Sequence, residues 1–362
     1  MLNNNPHGMI ESRPSHITAA LAALIPTGGP VLLEGSPGTG KSALLAEAAA
    51  LTQRTFYSPR VSQYDPTDLA GIPWPDAEAG TIRWLHDNQE IPWCHCKGAC
   101  SCPPSILCLD ELGQAPTSVQ NVTLQLLHSK ERRLRSLRLP PPDRCFVAAA
   151  TNRTTDRAGS GQLTTAVRSR FLTSFLVVPH LADLRAVAAR DGWHHTVRSW
   201  LKVAPKFLND FDPARPGPFS CPRSIEQLSR LAAAPLPEET RLAAYAGAVG
   251  VPAASSYITH AEIAGQVPDA DSILGDPSGA TVPTEAPLLW AVSAVLSAAM
   301  RGVKAEETIA ALLTYLDRLP GEYAALTVID AMRAGCPITK ARSGLAWTGR
   351  NAKLILAARE EG

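Results

Sequence analysis

The eight residues GSPGTGKS at 35–42 constrain this chain more than any other stretch. They follow a short apolar run, PVLLEG (30–35), and they lead into KSALLAEAAALT (41–52), whose Ala and Leu spacing reads as a helix. A strand, a glycine-rich turn and a helix in that order satisfy the pattern G-x-x-x-x-G-K-[S/T] in its proper context. The glycines let backbone N–H groups turn inward around phosphate oxygens, and the helix N-terminus adds favourable potential. Gly35, Ser36, Pro37, Gly38, Thr39, Gly40, Lys41 and Ser42 are therefore expected to hold the phosphates of ATP. Lys41 is expected to bridge the β- and γ-phosphate oxygens, and the Ser42 hydroxyl to hold Mg²⁺.

Two more apolar runs of strand length follow, SILCLD (105–110) and CFVAAATN (145–152), with a helical SVQNVTLQLLHS (118–129) between them. Strands alternating with helices predict a parallel sheet covered on both faces, an α/β architecture. The first of these runs ends in Asp110 and Glu111. A buried parallel strand delivers such carboxylates to its C-terminal end, where open α/β sheets bind ligands. Asp110 is expected to orient the Mg²⁺ shell and Glu111 to polarise the attacking water. After about residue 180 the strand signals stop. Helices then alternate with Pro-rich joints at 211–222 and 232–239, and a turn-rich stretch interrupts them at 267–283. The expected plan is an α/β core over 1–180, a small helical domain over 181–240 and a helical extension over 241–362.

Lys plus Arg number 34 against 33 Asp plus Glu, so no global charge draws the chain to nucleic acid or an anionic membrane. The first residues lack the basic and apolar blocks of a secretory signal, and the most apolar stretch, 288–300, is too short to span a bilayer. These features predict a cytoplasmic protein without membrane contact. Eight cysteines are present, and Cys94, Cys96, Cys100 and Cys102 crowd into nine positions, in an insert at about 93–103. In a reducing compartment they are either free thiols or ligands of one structural Zn²⁺, with disulfides forming only on oxidation. Gly98 and Ala99 permit the tight turn a zinc clip needs, and His95 is a substitute ligand. The C-x-C spacing counts against zinc, because most zinc sites use C-x2-C pairs. His194 and His195 are expected on a helix surface, away from any metal.

Four segments together resemble AAA+ ATPases, and within them the MoxR-like group of the dynein-related branch. RVSQYDPTDLAGIP (60–73) looks like the segment after that group's second strand, and LDELGQAPTSVQNVTLQLL (109–127) like its Walker B strand and the next helix. AAATNRTTDRAGSGQLTTAVRSRF (148–171) is similar to its sensor 1 and arginine-finger stretch, and FSCPRSIEQLSRL (219–231) to the start of its sensor 2 helix. The motifs come in the family order and cover roughly residues 14–235; beyond that the likeness is looser, to MoxR-like ATPases of phages and bacterial genomes.

The resemblance implies an AAA+ P-loop αβα core, an α-helical lid and a helical C-terminal extension. It implies that Asn152 holds the lytic water, that Arg170 or Arg168 reaches a neighbouring subunit's γ-phosphate, and that Arg223 contacts that phosphate from the same subunit. A finger acting in trans implies a homo-oligomer, commonly a hexameric ring. It further implies remodelling of a protein client, with a von Willebrand factor A-domain protein as the first partner to seek. A nucleic-acid-directed motor or McrB-like NTPase on the same fold is the alternative. The basic stretch at 129–142 either faces a ring's central pore or is a solvated hairpin.

Overall fold

The computed structural model describes residues 9–86, 90–128, 130–156 and 161–361. The chain divides into two compact units, Met1–Val178 with Asp212–Ala214, and Pro179–Phe211 with Arg215–Gly362.

In the first unit the elements run β1 (Glu11–Ser12), α1 (Pro14–Leu24), β2 (Val31–Glu34), α2 (Lys41–Leu51), β3 (Thr55–Tyr57), α3 (Pro66–Ala70), β4 (Ile72–Asp76) and β5 (Thr81–Leu85). They continue with β6 (Ser105–Leu109), α4 (Thr117–Leu126), β7 (Arg133–Leu134), β8 (Leu137–Arg138), β9 (Cys145–Thr151), α5 (Thr165–Arg168) and β10 (Thr173–Val177). Six strands form one parallel sheet in the order β1-β10-β2-β9-β6-β3, while β4–β5 and β7–β8 are separate antiparallel hairpins.

Every residue of β2, β6 and β9 is buried, as continuous apolar runs in a central parallel strand should be. Their side chains alternate between two cores. Leu32, Leu107, Leu109, Val147 and Ala149 join Val119 and Leu126 of α4 on one face. Val31, Leu33, Ile106, Cys108, Phe146 and Ala148 join Leu21 of α1 and Leu45 of α2 on the other. The period of two thus builds three layers from one sheet. Each fully buried leucine or isoleucine here stabilises by about 1.5–3 kcal/mol relative to exposure. The three strands legible in the sequence are the buried ones. β3 and β10 were not foreseen because both are only partly buried, so they carry a weak apolar signal.

The second unit holds no strand among the described residues. Its helices are α6 (Leu181–Asp191), α7 (His195–Val203), α8 (Pro222–Ala232), α9 (Glu238–Val249), α10 (Val251–Ala264) and α11 (Ala270–Gly275). Then come α12 (Ala286–Ala299), α13 (Glu306–Leu316), α14 (Gly321–Arg333), α15 (Arg342–Arg350) and α16 (Ala352–Glu361). The apolar stretch at 288–300 is α12, a buried helix packed against α7 and α14. Among the described residues no helix is long and apolar enough to cross a membrane. One core gathers Trp193, Val197, Trp200, Leu228 and Tyr257, and a second gathers Leu296, Tyr315, Leu316 and Val328. His194 and His195 are half-buried, with their rings stacked at 4.4 Å. Burial, then His194 and Arg198, lowers the His195 pKa to about 4 and keeps it neutral at pH 7.

Between these helices sits a buried charge cluster. Asp330 of α14 pairs with Arg185 of α6 at 3.4 Å, Lys202 of α7 at 3.6 Å and Arg198 of α7 at 3.7 Å, all four side chains being at most 7% exposed. Arg333 adds a contact at 3.5 Å, and Lys202 Nζ lies 4.2 Å from the Trp290 ring centroid. Burial, then the neighbouring Arg185, lowers the Lys202 pKa to about 7, while Asp330 offsets part of that shift.

Removing the one anion leaves buried cations uncompensated, so Asp330→Asn should destabilise this unit by about 3–5 kcal/mol in urea unfolding. Lys202 also makes the unit's stability pH-dependent. Unfolded, Lys202 keeps its proton up to about pH 10.4; folded, it loses it near 7. The unfolded state therefore binds more protons between those values, and stability from this residue rises with pH across that window. Lys202→Met should flatten that rise relative to the parent chain in unfolding curves taken at pH 7 and pH 9.5.

Candidate functional site

The parallel register brings three strand ends together. Glu34 of β2 pairs with Thr151 of β9, and β9 pairs in turn with β6. The segments that leave β2, β6 and β9 are therefore the glycine-rich loop, Asp110-Glu111 and Asn152. Gly38 and Gly40 of the loop adopt φ of +76° and +87°, a left-handed backbone that glycine adopts without steric cost. Gly35 is required for a different reason: a Cβ there would lie 2.8 Å from the Val177 carbonyl oxygen. The Thr39 hydroxyl donates to the Ser36 carbonyl at 2.9 Å and closes the turn.

Lys41, the first residue of α2, is buried, and its Nζ donates to the carbonyls of Gly35 (2.9 Å) and Ser36 (3.0 Å) and to Asn152 Oδ1 (2.9 Å). The loop thus wraps a lysine whose ammonium is already joined to the end of β9. Ser42 Oγ donates to Asp110 Oδ2 at 2.8 Å, and Asp110 Oδ1 accepts the Glu111 amide at 3.0 Å. A hydroxyl paired with a carboxylate at the start of α2 is an all-oxygen donor set suited to Mg²⁺. Ser42 and Asp110 would hold that ion, which when bound neutralises phosphate charge.

Glu111 lies just beyond β6 with φ +58° and ψ +31°, left-handed for a residue with a side chain. Such a backbone costs on the order of 1 kcal/mol or more and persists where the surroundings enforce it. Here a backbone bridge between Arg60 and Asp110 holds it, with Val61 N–H donating to Asp110 O (3.1 Å) and Asp110 N–H to Pro59 O (3.0 Å). The same segment supplies Ser62, whose hydroxyl donates to Glu111 Oε2 at 2.5 Å. Ser62 was not foreseen as a site residue; its one sequence signal is its place within RVSQYDPTDLAGIP. Gly113 is a second unforeseen part. Its amide donates to Thr151 Oγ1 at 3.2 Å, and a Cβ there would meet that oxygen at 2.2 Å. That contact locks the turn after Glu111 onto β9.

The two candidate finger arginines have different surroundings. Arg168, at the end of α5, pairs with Glu34, a side chain 1% exposed that immediately precedes the glycine-rich loop. Arg170, two residues on, is exposed. Arg223 is exposed in the first turn of α8, within the second unit.

The four clustered cysteines stand apart from these groups. They occupy the loop before β6, with Cys94 buried and the others half-buried, and all eight cysteines of the chain are free. Their four Sγ atoms lie within 4.8 Å of one another, close enough to share one metal ion, and His95 is not among the grouped ligands. The Ser101 hydroxyl and then its amide, hydrogen-bonded to the Cys96 sulfur, lower that thiol's pKa to about 6.

Comparison with known proteins bears on the same segment. Residues 30–171 match the family model described as AAA domain, dynein-related subfamily. No curated protein matches the chain. Among solved structures, a candidate ATPase from Cytophaga hutchinsonii is 22% identical over 45% of this chain, with a TM-score of 0.31, and the chain spans only 46% of that protein's length. A RuvB point mutant from Thermotoga maritima is 15% identical over 68% of this chain and 67% of its own, with a TM-score of 0.37. NtrX from Brucella abortus in complex with ATP is 14% identical over 96% of this chain and 68% of its own, with a TM-score of 0.35. The assignment rests on the family model and on the six-stranded parallel sheet that carries the glycine-rich loop. Residues 30–171 match the AAA domain of the dynein-related subfamily, and the chain carries the AAA+ P-loop fold.

Proposed function

We propose that this chain is a MoxR-like AAA+ ATPase that works as a closed homo-oligomeric ring, hexameric as is common in that group. It hydrolyses ATP to remodel or activate a protein partner, and a von Willebrand factor A-domain protein is the first candidate. The observation that carries the reading is the meeting of Lys41, Ser42, Asp110, Glu111 and Asn152 at three adjacent strand ends, with an exposed arginine following α5.

In this reading the loop amides and Lys41 cradle the β- and γ-phosphates. Ser42 and Asp110 hold the metal. Glu111 accepts a proton from the attacking water, and Asn152 orients that water from beside Lys41. Arg170 is the trans finger, because Arg168 is committed within its own chain to buried Glu34. An arginine finger needs a heterologous contact between neighbours, which a cyclic ring supplies. Arg223 is assigned to the γ-phosphate of its own subunit on the resemblance alone. The cysteines take no part in the ATP chemistry. The exposed arginines 133, 135 and 138 of the β7–β8 hairpin favour a second reading, a nucleic-acid-directed motor, against which stands the near-neutral charge of the chain. Partner and DNA are separated by adding each to the ATPase assay: stimulation by a co-encoded von Willebrand factor A-domain protein supports the first reading, and stimulation by DNA alone the second.

Glu111→Gln should bind ATP·Mg²⁺ yet turn over about 100-fold or more slowly, because the phosphate contacts remain while the base is lost. A fluorescent ATP analogue and steady-state phosphate release read the two effects separately, and wild-type turnover would remove Glu111 from the mechanism. Lys41→Ala should lose nucleotide affinity itself.

The finger is tested by mixing subunits. Arg170→Ala alone should lose about a thousandfold in turnover at unchanged thermal stability. Mixed with Lys41→Ala, it should recover activity at boundaries where an intact Arg170 faces an intact Lys41. Absence of recovery in confirmed mixed rings would argue against action in trans. Arg168→Ala should instead lower the melting temperature, since it strips buried Glu34 of its partner.

A further inference from the structure

We propose that Cys94, Cys96, Cys100 and Cys102 bind one Zn²⁺ in a closed tetrathiolate site that ties the loop before β6 to the β7–β8 hairpin. The geometry comes first. Cys94 and Cys100 have their sulfurs 3.6 Å apart, Cys96 and Cys102 3.8 Å apart, and all four lie within 4.8 Å of each other. A tetrahedron with Zn–S bonds of about 2.3 Å has edges of about 3.8 Å; the Cys94–Cys100 and Cys96–Cys102 pairs match that edge, and no pair is farther apart than 4.8 Å.

Hydrophobic burial does not explain the cluster, because three of the four cysteines are only half-buried. The sulfurs also have support of the kind that orients metal ligands. The Ser101 amide donates to Cys96 Sγ at 3.4 Å. Zinc would bind four thiolates, displacing the protons that the thiols still carry, with no electron transferred and a net charge of −2 left on the site. Four protein sulfurs fill a tetrahedral ion, so no position stays open for water, and the site is structural.

Its partner within the unit is β8. Cys94 N–H donates to Arg138 O at 2.8 Å, and the Arg138 guanidinium donates to Cys96 O at 2.5 Å. The loop and the hairpin thus hold each other in both directions, and a cationic guanidinium lies beside the anionic centre. Just upstream, Ile91 is buried in the core that contains β6 and α4. The clip therefore joins a rooted loop to a hairpin of only two residues per strand, too short to be stable on its own.

The test uses the full chain purified under reducing conditions. Metal analysis should give about one zinc per chain, with the four thiols resisting alkylation until a chelator removes the ion. Added Co²⁺ should replace it and show the visible bands of a tetrahedral thiolate centre. Removal of zinc should speed trypsin cleavage at Arg133 and Arg135 several-fold while the fluorescent ATP analogue still binds, and added Zn²⁺ should restore protection. The Cys96→Ser, Cys100→Ser double variant should lose the metal and keep nucleotide binding. A zinc-free protein with four freely alkylated thiols, a pair of disulfides in their place, or iron as the bound metal would overturn the zinc site. Zinc bound in the parent with no change in hairpin cleavage on its removal would overturn the tie to β8.

Discussion

The hydrogen bond from Ser42 to Asp110 spans 68 positions of sequence and depends on most of the first unit being right. It forms only if β2, β9 and β6 are adjacent, parallel and in register, so that the loop leaving β2 meets the acid leaving β6. β9 lies between the other two: Ala148 and Ala149 pair with Val31 and Leu32 on one side, and with Cys108 and Leu109 on the other. Apolar burial fixes the sheet, and the sheet fixes the distance between hydroxyl and carboxylate. The Lys41–Asn152 contact is the same argument applied to the neighbouring strand end.

Strain and pairing refine this plan. The left-handed backbone at Glu111 turns its side chain away from the line of β6, and the bridge from residues 59–61 holds that turn in place. A carboxylate that simply followed the strand's alternation would point into one of the two cores. Charge pairing likewise divides two arginines that differ little in sequence. Arg168 neutralises a glutamate that would otherwise be buried alone, and Arg170 is left exposed.

The second unit is organised by a different constraint. Three buried basic side chains, Arg185, Arg198 and Lys202, converge on one buried carboxylate, and the two arginines alone leave the arrangement net positive within an apolar core. Its members come from α6, α7 and α14, so Asp330 meets Arg185, 145 positions earlier in the chain. Such a cluster contributes little net stability, because desolvation offsets much of the attraction. It does penalise any packing that leaves the carboxylate without its partners.

What the sequence by itself determined is local chemistry: a phosphate loop between a strand and a helix, acids at the end of a buried run, an asparagine closing another, and four cysteines in nine positions. These were legible because each motif requires a residue type at a short fixed spacing, and because β2, β6 and β9 are buried on both faces. What only the tertiary structure decided depends on partners far apart in the chain. Ser62 gave no signal because serine is common in loops, and its meaning comes from Glu111, 49 positions later. That Arg168, and not Arg170, is paired within the chain depends on Glu34, 134 positions earlier. The C-x-C spacing left the cysteines open, because spacing along a chain does not say whether four sulfurs can gather at one point; backbone turns bring all four within 4.8 Å of one another.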